Sequence, residues 1–151
     1  MATSTKNLSV YDKKTIPNAK NLRFGIVVSE WNSKITEGLF KGAETTLLDC
    51  GVKQGNILRW NVPGSFELTF GCKKMIQQNN PDAVIAIGSV IRGETKHFDF
   101  VCSATAQGIK DLNVITDTPV IFCVLTDENL QQAKDRSGGK YGNKGTEAAI
   151  A

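Results

Sequence analysis

The sequence predicts an α/β protein, a three-layer sandwich in which one four-stranded parallel sheet is flanked by helices on both faces. Short β-branched apolar runs alternate along the chain with longer segments of helical spacing, which is βαβα order. The third and fourth apolar runs, Ala83 to Ile91 and Val120 to Leu125, are nearly continuous, as strands buried on both faces must be. Strands of that kind form a parallel sheet covered on either side.

Leu22 to Val28 reads as the first strand. After it Ile35, Leu39, Ala43 and Leu47 recur every four residues and Gly51 sits where a helix would stop. Ile57 to Val62 is the second strand. Phe66, Phe70, Met75 and Ile76 mark a second helix, closed by Asn79, Asn80 and Pro81. The third strand, Ala83 to Ile91, leads into a helix that runs from His97 through Phe98, Val101, Thr105 and Ile109 to Leu112. Val120 to Leu125 is the fourth strand, Glu128 to Arg136 the fourth helix, and a short helical run follows near the end of the chain. A flavodoxin-like strand order, 2-1-3-4, is expected, within one domain spanning 1–151 whose first 20 residues form a polar tail.

The chain has 151 residues, 18 Lys plus Arg against 15 Asp plus Glu, and a net charge of +3 with no long run of like charge. This excludes a basic nucleic-acid arm or a polybasic membrane patch. Met1 to Lys20 lacks the apolar core of a signal peptide, and no stretch is long enough to span a membrane, so the expected location is cytoplasmic. Cys50, Cys72, Cys102 and Cys123 contain no Cys-x-x-Cys and read as reduced core thiols. His97 is the single histidine, which removes multi-histidine metal sites from consideration; no metal is expected.

In a parallel sheet the carboxyl ends of all strands share one edge, and ligands bind there at a topological switch point. Four connections therefore converge: Ser29-Glu30-Trp31-Asn32, Pro63-Gly64-Ser65-Phe66-Glu67, Arg92-Gly93-Glu94-Thr95-Lys96-His97 and Thr126-Asp127-Glu128-Asn129. With the expected order the switch point falls between Trp31 and the Arg92 to His97 loop. That loop joins a permissive glycine to a helix start, the arrangement that holds phosphate; the plainer alternative is a solvated turn with a capping threonine. His97 is either a general acid or base or an ordinary surface histidine. Trp31 is either a stacking platform for a flat heterocycle or an interface residue. Arg136 to Gly145 carries four glycines and three cations in ten residues, consistent with a basic wall over an anion or with a flexible linker. It is no P-loop, because Lys144 is followed by Gly145; nor does a G-x-G-x-x-G fingerprint follow the first strand.

Val28-Ser29-Glu30-Trp31-Asn32, Val62 to Glu67, Gly88 to Asp99, Pro119-Val120-Ile121-Phe122, Arg136 to Lys140 and Gly142-Asn143-Lys144-Gly145 together resemble the 6,7-dimethyl-8-ribityllumazine synthase family. The resemblance runs in order from Leu22 to Ala149. It implies the penultimate step of riboflavin biosynthesis, in which 5-amino-6-ribitylaminouracil condenses with 3,4-dihydroxy-2-butanone 4-phosphate, releasing phosphate and water without a cofactor. It further implies that Trp31, where the family more often carries Phe or Tyr, stacks on the heterocycle. Asn32, Ser65, Phe66, Glu67, Val90, Ile91 and Lys144 would contact ring or ribityl chain, with Glu147 close by. Glu94, through its backbone N–H, Thr95 and Arg136 would hold the phosphate, and His97 would transfer protons. Phe122 would come from a neighbouring subunit.

The family is built on pentamers with sites between subunits, and some members form a shell of 60 subunits, which the lack of an insertion in the Arg136 to Lys144 turn favours. The tail up to Lys20 would then add a strand to the neighbour's sheet, and riboflavin synthase is a possible partner. Two rivals remain: a silent flavin- or lumazine-binding shell, against which Arg136 and His97 both speak, and a flavodoxin-like electron carrier, whose phosphate loop after the first strand is missing.

Overall fold

The structure, a computed structural model, describes residues 9–151. Four parallel strands, β1 (Phe24–Ser29), β2 (Ile57–Val62), β3 (Ala83–Ile91) and β4 (Val120–Asp127), form a sheet of order β2-β1-β3-β4, as expected. Five helices accompany it: α1 (Ser33–Asp49), α2 (Leu68–Asn79), α3 (His97–Ile115), α4 (Leu130–Arg136) and α5 (Lys144–Ile150). The period of two along the strands divides the core. Ile26, Val28, Ile85, Ile87, Cys123 and Leu125 face α1 and α5, while Val27, Val84, Ala86 and Val124 face α2 and α3. The continuous apolar runs are thus buried from both sides.

Several boundaries move. The first strand begins at Phe24 because Leu22, 41% exposed, closes a turn onto the Ala19 carbonyl and the Arg23 N–H bonds the Asp82 carboxylate. The fourth strand continues through Thr126 and Asp127, still paired to Val90 and Ile91, so only Glu128 and Asn129 remain as connection. Asn129, whose side chain accepts from the Gln132 N–H at 3.0 Å, then starts α4 at Leu130 rather than Glu128. The largest correction concerns α2. Phe66 and Phe70 are 61% and 64% exposed, and the buried face is Leu68, Gly71, Cys72 and Met75. Aromatics at i and i+4 mark one face of a helix, but here Phe66 falls in the turn before α2 and Phe70 stands off its buried face. Asn80, at φ 44°, ends the helix as the Asn79-Asn80-Pro81 run predicts.

The glycine- and cation-rich segment is neither linker nor loop. It forms a small antiparallel pair, β5 (Ser137–Gly139) and β6 (Gly142–Asn143), with Gly138 and Gly142 at φ 119° and 78°. Asn143 fastens it: its Nδ2 donates to the Gly38 carbonyl at 2.9 Å and its Oδ1 accepts from the Gly145 N–H at 2.8 Å. A Cβ at Gly145 would lie 1.8 Å from the Leu39 carbonyl oxygen, so only glycine allows α5 to cross α1 this closely. Of the proposed tail strand, residues 1–8 lie outside the described ones. From Ser9 to Lys20 the chain forms turns along its own α1: Tyr11 donates to Asp49 at 2.7 Å, Lys13 pairs with the same carboxylate at 2.7 Å, and the Ala19 N–H bonds the Cys50 carbonyl. The four cysteines are free, and burial pushes the Cys72 and Cys123 thiols up to about 12.

Candidate active site

A cavity of about 700 Å³ opens at the carboxyl edge of β1, β2 and β3, where the strand order reverses. Its first wall is the β1 to α1 connection, laid against the one after β2. The Glu30 N–H donates to the Val62 carbonyl and the Trp31 N–H to the Pro63 carbonyl, extending the ladder past the strand ends. This presents Trp31 at the mouth, 74% exposed. Asn32 adopts the left-handed conformation at φ 60°, and its side chain donates to the Ser89 carbonyl at 2.9 Å, tying this wall to β3.

The second wall is the turn Ser65–Glu67. The Glu67 carboxylate accepts from the Gly64 N–H at 3.0 Å, and Thr105 of α3 donates to the Ser65 carbonyl at 3.2 Å, so the turn is held at both ends. Ser65 and Ser89, 5% and 1% exposed, belong to the cavity's lining, and their buried hydroxyls have no hydrogen-bond partner. Buried hydroxyls without partners are rare, and here both belong to residues of a cavity wall.

The third wall is the end of β3 and the start of α3. Val90, Ile91, Gly93, Thr95 and His97 line the cavity, with His97 the first residue of α3. The Thr95 hydroxyl accepts from the His97 N–H at 3.3 Å. The first turn of this 19-residue helix presents its positive dipole end to an anion, while the His97 and Asp99 N–H groups are taken by the Thr95 hydroxyl and the Lys96 carbonyl. Arg92 does not enter: Nε pairs with Glu128 at 2.7 Å, Nη2 with Asp99 at 3.2 Å, and the guanidinium lies 4.2 Å over the Phe98 ring.

Nine of the expected residues thus meet in one space: Trp31, Asn32, Ser65, Phe66, Glu67, Val90, Ile91, Thr95 and His97. Sequence reasoning missed Ser89, Phe98 and Val101 as lining residues. Val101 was legible, since it sits four positions past His97 and shares a face with it. Glu94, Phe122, Arg136 and Lys144 do not line the cavity of their own chain. Phe122 stands 44% exposed on the edge strand β4. Lys144 is engaged with Glu147 at 2.6 Å. Arg136, at the end of α4, donates through Nη1 to the Gln132 carbonyl at 2.9 Å and lies 3.9 Å from Asp127.

A family model for 6,7-dimethyl-8-ribityllumazine synthase matches residues 21–151. The chain belongs to the 6,7-dimethyl-8-ribityllumazine synthase family. It is 72% identical over 151 residues to the 6,7-dimethyl-8-ribityllumazine synthase of Flavobacterium johnsoniae, covering 100% of this chain and 80% of the relative. To that of Christiangramia forsetii it is 69% identical over 152 residues, covering 100% and 90%. To that of Phocaeicola vulgatus the identity is 58% over 150 residues, covering 99% and 89%. The family match spans the three walls of the cavity and the Arg136 to Lys144 segment alike.

Proposed function

We infer that this chain is a transferase of riboflavin biosynthesis that condenses 5-amino-6-ribitylaminouracil with 3,4-dihydroxy-2-butanone 4-phosphate to give 6,7-dimethyl-8-ribityllumazine, phosphate and water. Family membership supports the reaction, and the cavity supplies what it demands. The pyrimidine brings its own amine, so the protein has to hold two substrates in register and move protons. In our reading Trp31 stacks on the pyrimidine, Ser65, Phe66 and Glu67 contact ring and ribityl chain, and Val90 and Ile91 border the ring. Thr95 and the α3 N-terminus receive the phosphate, and His97 shuttles protons during imine formation, phosphate elimination, ring closure and loss of water.

The observation that carries the rest is a missing charge: among the described residues no Lys or Arg lines the cavity, although one substrate is a phosphate monoester. We assign the missing cation and the missing wall to a second copy of the chain, whose Arg136 would reach the phosphate, whose Phe122 would cover the ring, and whose Lys144 would complete the polar rim. Exposed apolar residues support such an assembly, with Phe70 at 64%, Phe100 at 72%, Val114 at 74% and Ile115 at 70%. On the resemblance we take this assembly to be a pentamer, with twelve pentamers in a shell as the larger form. It also carries an association with riboflavin synthase, which consumes the product, and a cytoplasmic setting; no helix among the described residues is long and apolar enough to cross a membrane.

Mixing the protein with both substrates tests the reaction: lumazine fluorescence and one phosphate released per turnover are expected. Tight binding of lumazine or flavin by the assembled protein with neither signal would make it a silent storage shell instead.

A further inference from the structure

Asp127 is the buried ionisable group that the reaction as described does not use. It ends β4, is 5% exposed, and its Oδ2 has no hydrogen-bond partner. Its Oδ1 lies 3.9 Å from Nη1 of Arg136, within reach of ion pairing but beyond a hydrogen bond. Burial holds the carboxyl above the ordinary carboxylate range, with Arg136 opposing. A carboxylate in so dry a place, with one oxygen unsatisfied, is a poor device for stability, because a hydroxyl or a methyl of similar size would fill the space at less cost. The reason for keeping it has to lie in what it does to its neighbour.

Arg136 is held at one corner. Nη1 donates to the Gln132 carbonyl at 2.9 Å and faces Asp127, while the Tyr141 ring lies 5.1 Å from the guanidinium carbon. Among the described residues, Nε and Nη2 donate to nothing. Those two nitrogens form the side-on edge of the guanidinium fork, the edge that takes two oxygens of one phosphate. The Arg136 side chain is 25% exposed and the Asp127 side chain 6%, so the carboxylate sits on the inner side of the pair.

We propose that Asp127 is a positioning residue for phosphate recognition: together with the Gln132 carbonyl it fixes the Nη1 corner of Arg136, so that Nε and Nη2 stay free as a paired donor edge. The proposal rests on the reading of Arg136 as the phosphate cation. It assigns Asp127 no contact with substrate. Without the carboxylate the long side chain samples other rotamers, and part of the binding free energy goes into ordering it each time a phosphate arrives.

Steady-state kinetics on the assembled protein tests this with Asp127→Asn, Arg136→Ala and the double variant. Asp127→Asn is expected to raise the KM for butanone phosphate, and the Ki of inorganic phosphate, about 3- to 10-fold. The KM for the pyrimidine and kcat should stay within about twofold, a split that general loosening of the fold would not give. In the Arg136→Ala background the Asp127→Asn change should add nothing. An unchanged or lowered KM and Ki in Asp127→Asn, with Arg136→Ala strongly impaired, overturns the positioning role and leaves the phosphate reading standing. Equal effects of Asp127→Asn with and without Arg136 overturn it as well. If Arg136→Ala binds phosphate normally, the phosphate reading itself falls and the proposal with it. Should Asp127→Asn fail to assemble by light scattering, Asp127→Ser, smaller and also uncharged, carries the same expectations.

Discussion

The cavity and the Arg136 to Glu147 segment treat their polar groups in opposite ways. At the cavity, the Ser65 and Ser89 hydroxyls are buried without partners. In the other region charge meets charge within the chain: Lys144 is 2.6 Å from Glu147, and Arg136 is 3.9 Å from Asp127. One region leaves hydroxyls unmet in its wall, while the other keeps its cations beside counter-ions. In the proposed function this division means that ring and chain recognition is built within one chain, whereas the positive charge for the phosphate comes from residues outside that cavity.

The hardest test of this division is complementation. Gly93 lines the cavity, and a Cβ there meets nothing within 4 Å, so Gly93→Trp should fill the cavity without disturbing the backbone. Arg136→Ala leaves the cavity open and removes the cation. Each variant alone should lose about 10²-fold or more in kcat/KM, since losing two charge-assisted hydrogen bonds is worth roughly 3 kcal/mol or more. Co-expressed, the two chains should recover activity in roughly a quarter of the sites of a mixed ring, those that pair an intact cavity with an intact Arg136. Mixed assemblies that stay inactive would place both functions in one copy and break the comparison.

Within the cavity itself, His97→Ala should lower kcat by up to about 10²-fold, the lower end for proton-transfer groups, because the condensation is feasible in water. Both KM values should move little. A variant with normal kcat would leave His97 only its place at the start of α3.

A smaller effect belongs to the mouth. Trp31→Ala should raise the KM for the pyrimidine about 10-fold and leave that for butanone phosphate near normal, since stacking acts on the ring alone. Trp31→Phe should keep most of the affinity. Equal losses for both substrates would mean that Trp31 supports the wall rather than the ring.

What could be read from the sequence follows from how far apart the causes lie. The continuous runs at Ala83 to Ile91 and Val120 to Leu125 encode their own burial, so the sheet, its direction and its ligand edge were legible. The face of α2 was not, because Phe66 and Phe70 satisfy helical spacing as well as Leu68, Cys72 and Met75 do, and only the packed sheet decides between them. The β5 and β6 pair was hidden for a similar reason: glycines and cations mark a flexible loop until Asn143 is seen bonding the Gly38 carbonyl. Asp127 left no trace in the sequence at all, since a polar residue after an apolar strand is ordinarily a solvated turn. Three residues of strand pairing beyond Val124 carry it inside.

The smallest expected effect concerns stability, and its sign separates Asp127 from the surface carboxylates. The hydrogen bond from Lys13, then that from Tyr11, holds Asp49 below its ordinary 3.8, so its contribution is present above that value and fades as the pH falls through the lowered one. Asp127 runs the other way. Burial raises its folded-state value, so the folded protein binds more protons than the unfolded chain between 3.8 and the raised value. Its contribution is therefore greatest below 3.8 and is lost as the pH rises through that window. Thermal melts of the native chain and Asp127→Asn across mildly acidic to neutral pH should show the native chain losing ground to the variant as the pH rises. The surface pairs are common to both proteins and cancel in the difference. A native advantage that instead grows with pH would mean that Arg136 outweighs burial and that the carboxylate is charged throughout, which would tighten the Asp127 to Arg136 pair beyond its 3.9 Å separation.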